Sequence, residues 1–124
     1  MPTIHQFEDL DIWQNARAMV KDIYLNIDHI KDFGFRDQIQ RAAVSVMNNI
    51  AEGFEQRSPA VFRRYLGYAL ASCAETRSML YLANDLKYIK PETSDKLIEQ
   101  TRILSKKIGK LATYLKTQQT KKTK

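Results

Sequence analysis

The chain has few of the residues that punctuate or cross-link a fold: four glycines, three prolines and one cysteine among 124 residues. One cysteine cannot close an internal disulfide, and it fits a reducing compartment. With so little glycine and proline, long stretches run uninterrupted, which predicts long regular elements. No pair of His or Cys stands at ligand spacing, and no Glu-x-x-His of the di-iron bundle kind occurs, so neither a metal nor another cofactor is expected. There is no glycine-rich phosphate loop. Gly53 stands alone near a helix end, as a cap or a close-packing point. The uncharged runs reach only the length of Tyr65 to Ala74, far short of the roughly 20 residues a membrane span needs. The start, "MPTIHQFEDLDIW", is mixed and acidic where a secretory signal would be basic and then apolar. A cytoplasmic protein with no membrane partner is the expectation.

Charge is plentiful and unevenly placed. The net charge is +6. Six acidic and three basic residues lie between Glu8 and Asp32, and three of each between Phe35 and Arg57. Residues 59–90 then carry five basic and two acidic groups, and residues 91–124 nine and three. Positive charge gathered in one half suggests an anionic partner, with RNA or DNA the leading candidate.

The helical period appears four times, and strand-like alternation never lasts. A first helix is predicted from about Leu10 to His29, on Ile12, Ala16, Met19, Ile23, Ile27 and Ile30. Gly34, just beyond it, is placed to close it in a left-handed conformation. A second runs from about Phe35 to Phe54 on Ile39, Ala42, Val46 and Ile50. Ser58 and Pro59 read as the N-cap and first residue of a third helix, whose stripe is Phe62, Leu66, Ala69, Cys73, Thr76, Leu80 and Ala83. Pro91 is expected to end it. The fourth starts at about Glu92 and uses Leu97, Thr101, Leu104, Ile108, Leu111 and Leu115.

Alternating steps of three and four, with short connections, predict an all-α fold: an antiparallel up-down-up-down four-helix bundle with left-handed packing. The bundle is expected to span residues 1–116, and 117–124 to form a basic, disordered tail. Helices two and three carry apolar residues beyond one face, among them Val44, Met47, Tyr65, Tyr68, Leu82 and Leu86. The third adds the small residues Gly67, Ala71, Ala74 and Ser78. A chain of this size has too little else to cover them, so a homo-oligomer through those helices is expected.

Candidate chemistry is sparse. Ser45 and Cys73 lack a plausible base, because His5 precedes the first helix and His29 ends it. A polar stripe of Gln38, Arg41, Ser45, Asn49 and Glu52 runs along the second helix. Glu52 and Glu75 are expected to be buried partners of Arg41 or Arg77, or of helix-end backbone groups, rather than an acid/base pair, since a carboxylate among apolar neighbours needs a partner. No enzyme is indicated. The basic residues offer more: Arg102, Lys106, Lys107 and Lys110 on the fourth helix, Arg63, Arg64 and Arg77 on the third, and Lys121, Lys122 and Lys124 on the tail. They suit contact with nucleic-acid backbone multiplied by oligomerisation, without base readout. The alternative is a protein–protein adaptor or scaffold that uses the apolar faces.

"QIQRAAVSVMNNIAEGFEQRS" and "FRRYLGYALASCAETRSMLYLANDLKYI", with the start "FEDLDIWQNARAMVKDIY", resemble the four-helix bundle proteins encoded in intervening sequences of bacterial 23S ribosomal RNA genes. The pattern Gln38, Arg41-Ala42-Ala43, Ser45, Asn49-Ile50-Ala51-Glu52-Gly53, with Glu75, carries the resemblance, which covers about residues 7–115. It implies a ring-like homopentamer. The family is in turn similar to the accessory variability determinant of diversity-generating retroelements, a basic pentameric bundle that binds nucleic acid. Met47 stands where relatives usually carry proline, so a weaker kink is expected in the second helix. Gln40 stands where arginine is common, which removes one charge.

Overall fold

The computed structural model describes residues 3–122, with side chains up to Gln118. The secondary structure of the described residues is helical throughout. A 3-10 turn at Phe7–Asp9 precedes α1 (Asp11–Ile27), α2 (Phe33–Glu55), α3 (Pro59–Asp85) and α4 (Pro91–Lys122). α4 thus continues into the stretch expected to be loose, while Lys124 and the side chains of Lys121 and Lys122 lie outside the described residues.

The apolar stripes meet in one core. Met19, Ile23 and Ile27 of α1, Ile39, Val46 and Ile50 of α2, Leu66, Ala69 and Leu80 of α3, and Leu104 and Ile108 of α4 are fully or almost fully shielded from solvent. Replacing one such leucine by alanine would cost about 2–5 kcal/mol, through forfeited transfer energy and the cavity left behind. Cys73, Thr76 and Thr101 are buried with them, as their register implies. The two threonine hydroxyls are satisfied inside their own helices, donating to the carbonyls of Ser72 and Ile98.

Helix partners follow from the side-chain bonds. Gln38 reaches Glu75, Ser45 reaches Ser72, and Gly53 lies against Tyr65, so positions rising on α2 meet positions falling on α3. The Cys73 thiol donates to the Thr101 carbonyl, and Ser94 Oγ donates to the Leu80 carbonyl, between α3 and α4. Lys107 meets Asp11 and Asn15, and Gln100 meets Asp22, between α4 and α1.

The helix ends have identifiable causes. Ser58 caps α3, its hydroxyl accepting from the Val61 N–H at 3.3 Å, and Pro59 takes the first turn where a missing N–H is harmless. Gly34 does not close α1. It is the second residue of α2, and no glycine among the described residues has positive φ. Asp32 sets that boundary instead, its Oδ1 accepting from the Phe35 N–H at 3.1 Å. Pro91 likewise begins α4 rather than ending α3. α3 stops earlier, in a turn where the Tyr88 N–H donates to the Ala83 carbonyl and the Lys87 N–H to the Asn84 carbonyl. This is the Schellman arrangement, with Lys87 at φ 59° in the left-handed position usually held by glycine.

Tyr88 then joins two turns at one end of the molecule. Its hydroxyl donates to Asp32 Oδ2 at 2.8 Å, its carbonyl accepts from His29 Nε2, and its ring meets Phe35 edge-on. The hydrogen bond to the Asp32 carboxylate, ahead of burial, pushes the Tyr88 hydroxyl above its ordinary pKa. No helix of the described residues is long and apolar enough to cross a membrane.

Candidate nucleic-acid interface

The basic residues of α3 and α4 fall into three groups. On α3, Arg63, Arg77 and Tyr81 share an edge at spacings of 14 and 4 residues, and Tyr81 marks its direction by meeting α4. Arg102 donates from Nη2 to the Tyr81 hydroxyl at 2.6 Å. Lys106 lies one turn further along α4, and Lys110 a turn beyond it. Arg63, Arg77 and Arg102 therefore line the two sides of the α3–α4 seam, while Lys106 and Lys110 lie about 40° and 80° further round α4, on its outer face opposite the buried Leu104 and Ile108. Among these residues Arg63, Arg77, Lys106 and Lys110 make no side-chain hydrogen bond or ion pair within the described structure, and Arg102 holds Glu99 at 3.8 Å.

Two expected members point elsewhere. Arg64, one residue past Arg63, sits about 100° round α3 and faces outward, away from α4. Lys107 turns to α1, where its ammonium donates to Asp11 Oδ2 at 3.0 Å and Asn15 Oδ1 at 2.8 Å. Its charge is largely matched inside the chain. Nothing in local sequence spacing could reveal that pairing, which joins residues 96 positions apart.

The polar stripe of α2 divides in a similar way. Ser45 and Asn49 are half-buried: the Ser45 and Ser72 hydroxyls lie 2.9 Å apart, and Asn49 Nδ2 donates to both the carbonyl and Oγ of Ser45. This small network satisfies polar atoms where α2 meets α3. Glu52 and Glu75, expected to be buried, are both exposed. Gln38 reaches Glu75 only at 3.5 Å. Arg41 pairs with Asp37 at 3.0 Å instead of with either glutamate, and the two side chains are 80% and 61% exposed. Helical spacing places these groups on one face but cannot give its depth, so no buried carboxylate needs a partner here.

Cys73 is fully buried. Burial raises its thiol pKa, partly opposed by a hydrogen bond from the Ser105 hydroxyl and by the Arg77 charge. Such a thiol is a poor nucleophile at neutral pH. Among the described residues no group of three or more His, Cys, Asp or Glu is arranged to hold a metal ion.

These features define a small all-α, four-helix protein whose charged chemistry lies on its outer surface. Within that class, the chain belongs to the 23S rRNA-intervening sequence protein family, whose model matches residues 8–110. A solved structure of a protein of unknown function from the S23 ribosomal protein family of Bacteroides thetaiotaomicron is similar in fold, with a TM-score of 0.75. It is 24% identical, and the match covers 82% of this chain and 97% of that one. No curated protein matches the chain.

Proposed function

We propose that this protein is a non-enzymatic homo-oligomer of up-down-up-down, left-handed four-helix bundles that binds RNA or DNA backbone through the basic surface formed by the α3–α4 seam and the adjoining outer face of α4. The observation that carries the reading is the convergence of Arg63, Arg77 and Arg102 from two helices, with Lys106 and Lys110 on the adjoining outer face of α4. Four of these five cations have no anionic partner in the described chain, and counterion release from phosphates favours such groups at low salt. Four or five charges per chain give modest affinity, which several copies on one strand would multiply. The reversed order in which neighbouring helices meet supports the up-down arrangement.

Oligomerisation is supported by the outer face of α3. Tyr68, Leu82 and Leu86 are 50%, 45% and 47% exposed, and Gly67, Ala71, Ala74 and Ser78 beside them are exposed too. Small side chains there let a second helix approach closely. A pentameric ring and a cytoplasmic location belong to the same proposal, the first through the family resemblance. The same apolar face favours a second reading, a protein–protein adaptor whose positive charge serves solubility.

A mobility shift with generic RNA and generic DNA separates the two. Binding at about 50 mM salt that fades as salt rises is the expected result, and absence of binding at that salt removes the nucleic-acid reading. Retained binding in an Arg102→Glu/Lys106→Glu variant would remove this basic surface as its site.

A further inference from the structure

At the end of the molecule where α1 stops and α3 turns into α4, a cleft of about 740 Å³ opens to solvent. Among the described residues no carboxylate lines it. Its lining includes Lys87 and Lys90, which make no hydrogen bond or ion pair through their side chains within the described chain, and the Thr93 hydroxyl is equally unpartnered. His29 donates from Nε2 to the Tyr88 carbonyl at 2.8 Å, so its Nδ1 remains without a protein partner. Its apolar lining comes from Ile89, which is nearly buried, and from Leu25, which is 64% exposed although its side chain is wholly apolar. Lys87 is held there by a left-handed backbone that side-chain-bearing residues rarely adopt, where glycine would be free of strain.

A cleft lined by both unpaired donors and apolar side chains fits a ligand with the same two kinds of group. We propose that it binds a small organic anion, a phosphate monoester or a carboxylate, with a compact apolar body. Lys87, Lys90 and Thr93 take the anionic group, and Leu25 and Ile89 take the apolar part. Unpaired ammonium groups in a recess gain from a multi-oxygen anion what the protein itself does not supply. The cleft shares no residue with the α3–α4 seam, so it stands or falls independently of nucleic-acid binding.

The test is a titration of the full chain, followed by backbone amide NMR shifts, with four probes: phenyl phosphate, benzoate, inorganic phosphate and benzyl alcohol. The proposal expects saturable shifts centred on His29, Lys87, Ile89 and Thr93 with phenyl phosphate, benzoate or both, and at least roughly tenfold weaker binding of the two half-ligands. Which of the first two binds tells a phosphate site from a carboxylate site. Lys87→Gly removes one ammonium while suiting the backbone, and together with Lys90→Gln it should weaken binding by at least about tenfold. The proposal is overturned if neither phenyl phosphate nor benzoate saturates by about 10 mM, or if the shifts persist unchanged in the double variant.

Discussion

Gly53→Ala offers a sharp test of how α2 meets α3. A Cβ built at Gly53 would lie 2.5 Å from the Tyr65 Cβ and 3.1 Å from Phe62 Cδ1. Non-bonded carbon atoms prefer about 3.5–4.0 Å, so α2 and α3 would have to part locally by roughly 1 Å. No rotamer change relieves the clash, because the opposing atom is a Cβ fixed to the α3 backbone. Parting the helices also loosens the edge-to-face pair of Phe54 and Phe62, at 5.8 Å, and the Ser45–Ser72 hydrogen bond further along. Overpacking of this kind costs about 1–3 kcal/mol, and the rigidity of the opposing backbone argues for the upper end. Alanine regains about 1 kcal/mol of helix propensity over glycine. The expected net destabilisation is about 2 kcal/mol, or a fall in Tm of roughly 6–10 °C for a chain of this length.

Gly109 supplies the control. It lies in α4, and a Cβ there would meet nothing within 4 Å, so Gly109→Ala should stabilise by up to about 1 kcal/mol. Urea unfolding of the three proteins at one fixed concentration reads both effects. If Gly53→Ala proves as stable as wild type, or rises alongside Gly109→Ala, the close approach of the two helices is refuted.

Ser58→Ala should lower stability by about 1 kcal/mol in urea unfolding, because the Val61 N–H loses its cap. Arg41→Ala should change it by less than about 0.5 kcal/mol, since the Arg41–Asp37 pair is exposed, whereas a buried-pair account would require several. Lys87→Gly should gain about 1 kcal/mol by relieving the left-handed lysine. Native Cys73 should react slowly with a thiol reagent at pH 8 and rapidly after unfolding. Its raised pKa means that the unfolded chain ionises first, so its contribution to stability is intact below the unfolded thiol pKa and is lost as pH rises through the folded value.

The core is legible in the sequence because it is periodic. Residues such as Met19, Val46, Leu80 and Ile108 recur every three or four positions, and all are fully buried. Ser58-Pro59 is legible because capping depends on side chains adjacent in sequence. The opposite boundary of α3 is not, since a lysine replaces the glycine that normally marks a left-handed stop, and Pro91 draws attention further on. Gly34 misleads in the reverse sense: a glycine between two helices invites a left-handed turn, but Asp32 already provides the cap. The exposure of Glu52 and Glu75 and the capture of Lys107 by Asp11 depend on how deep each face sits and which helix is opposite. Neither quantity is encoded in local spacing.

The central claim, that the basic surface of α3 and α4 binds phosphates, is tested most directly by the salt dependence of binding to a generic single-stranded RNA. Wild type should give a steep linear fall of log Kobs with log salt. Lys106→Gln/Lys110→Gln should bind more weakly, with the slope reduced by roughly 0.7 for each phosphate that a chain no longer neutralises. An identical slope and affinity in the variant would contradict the claim.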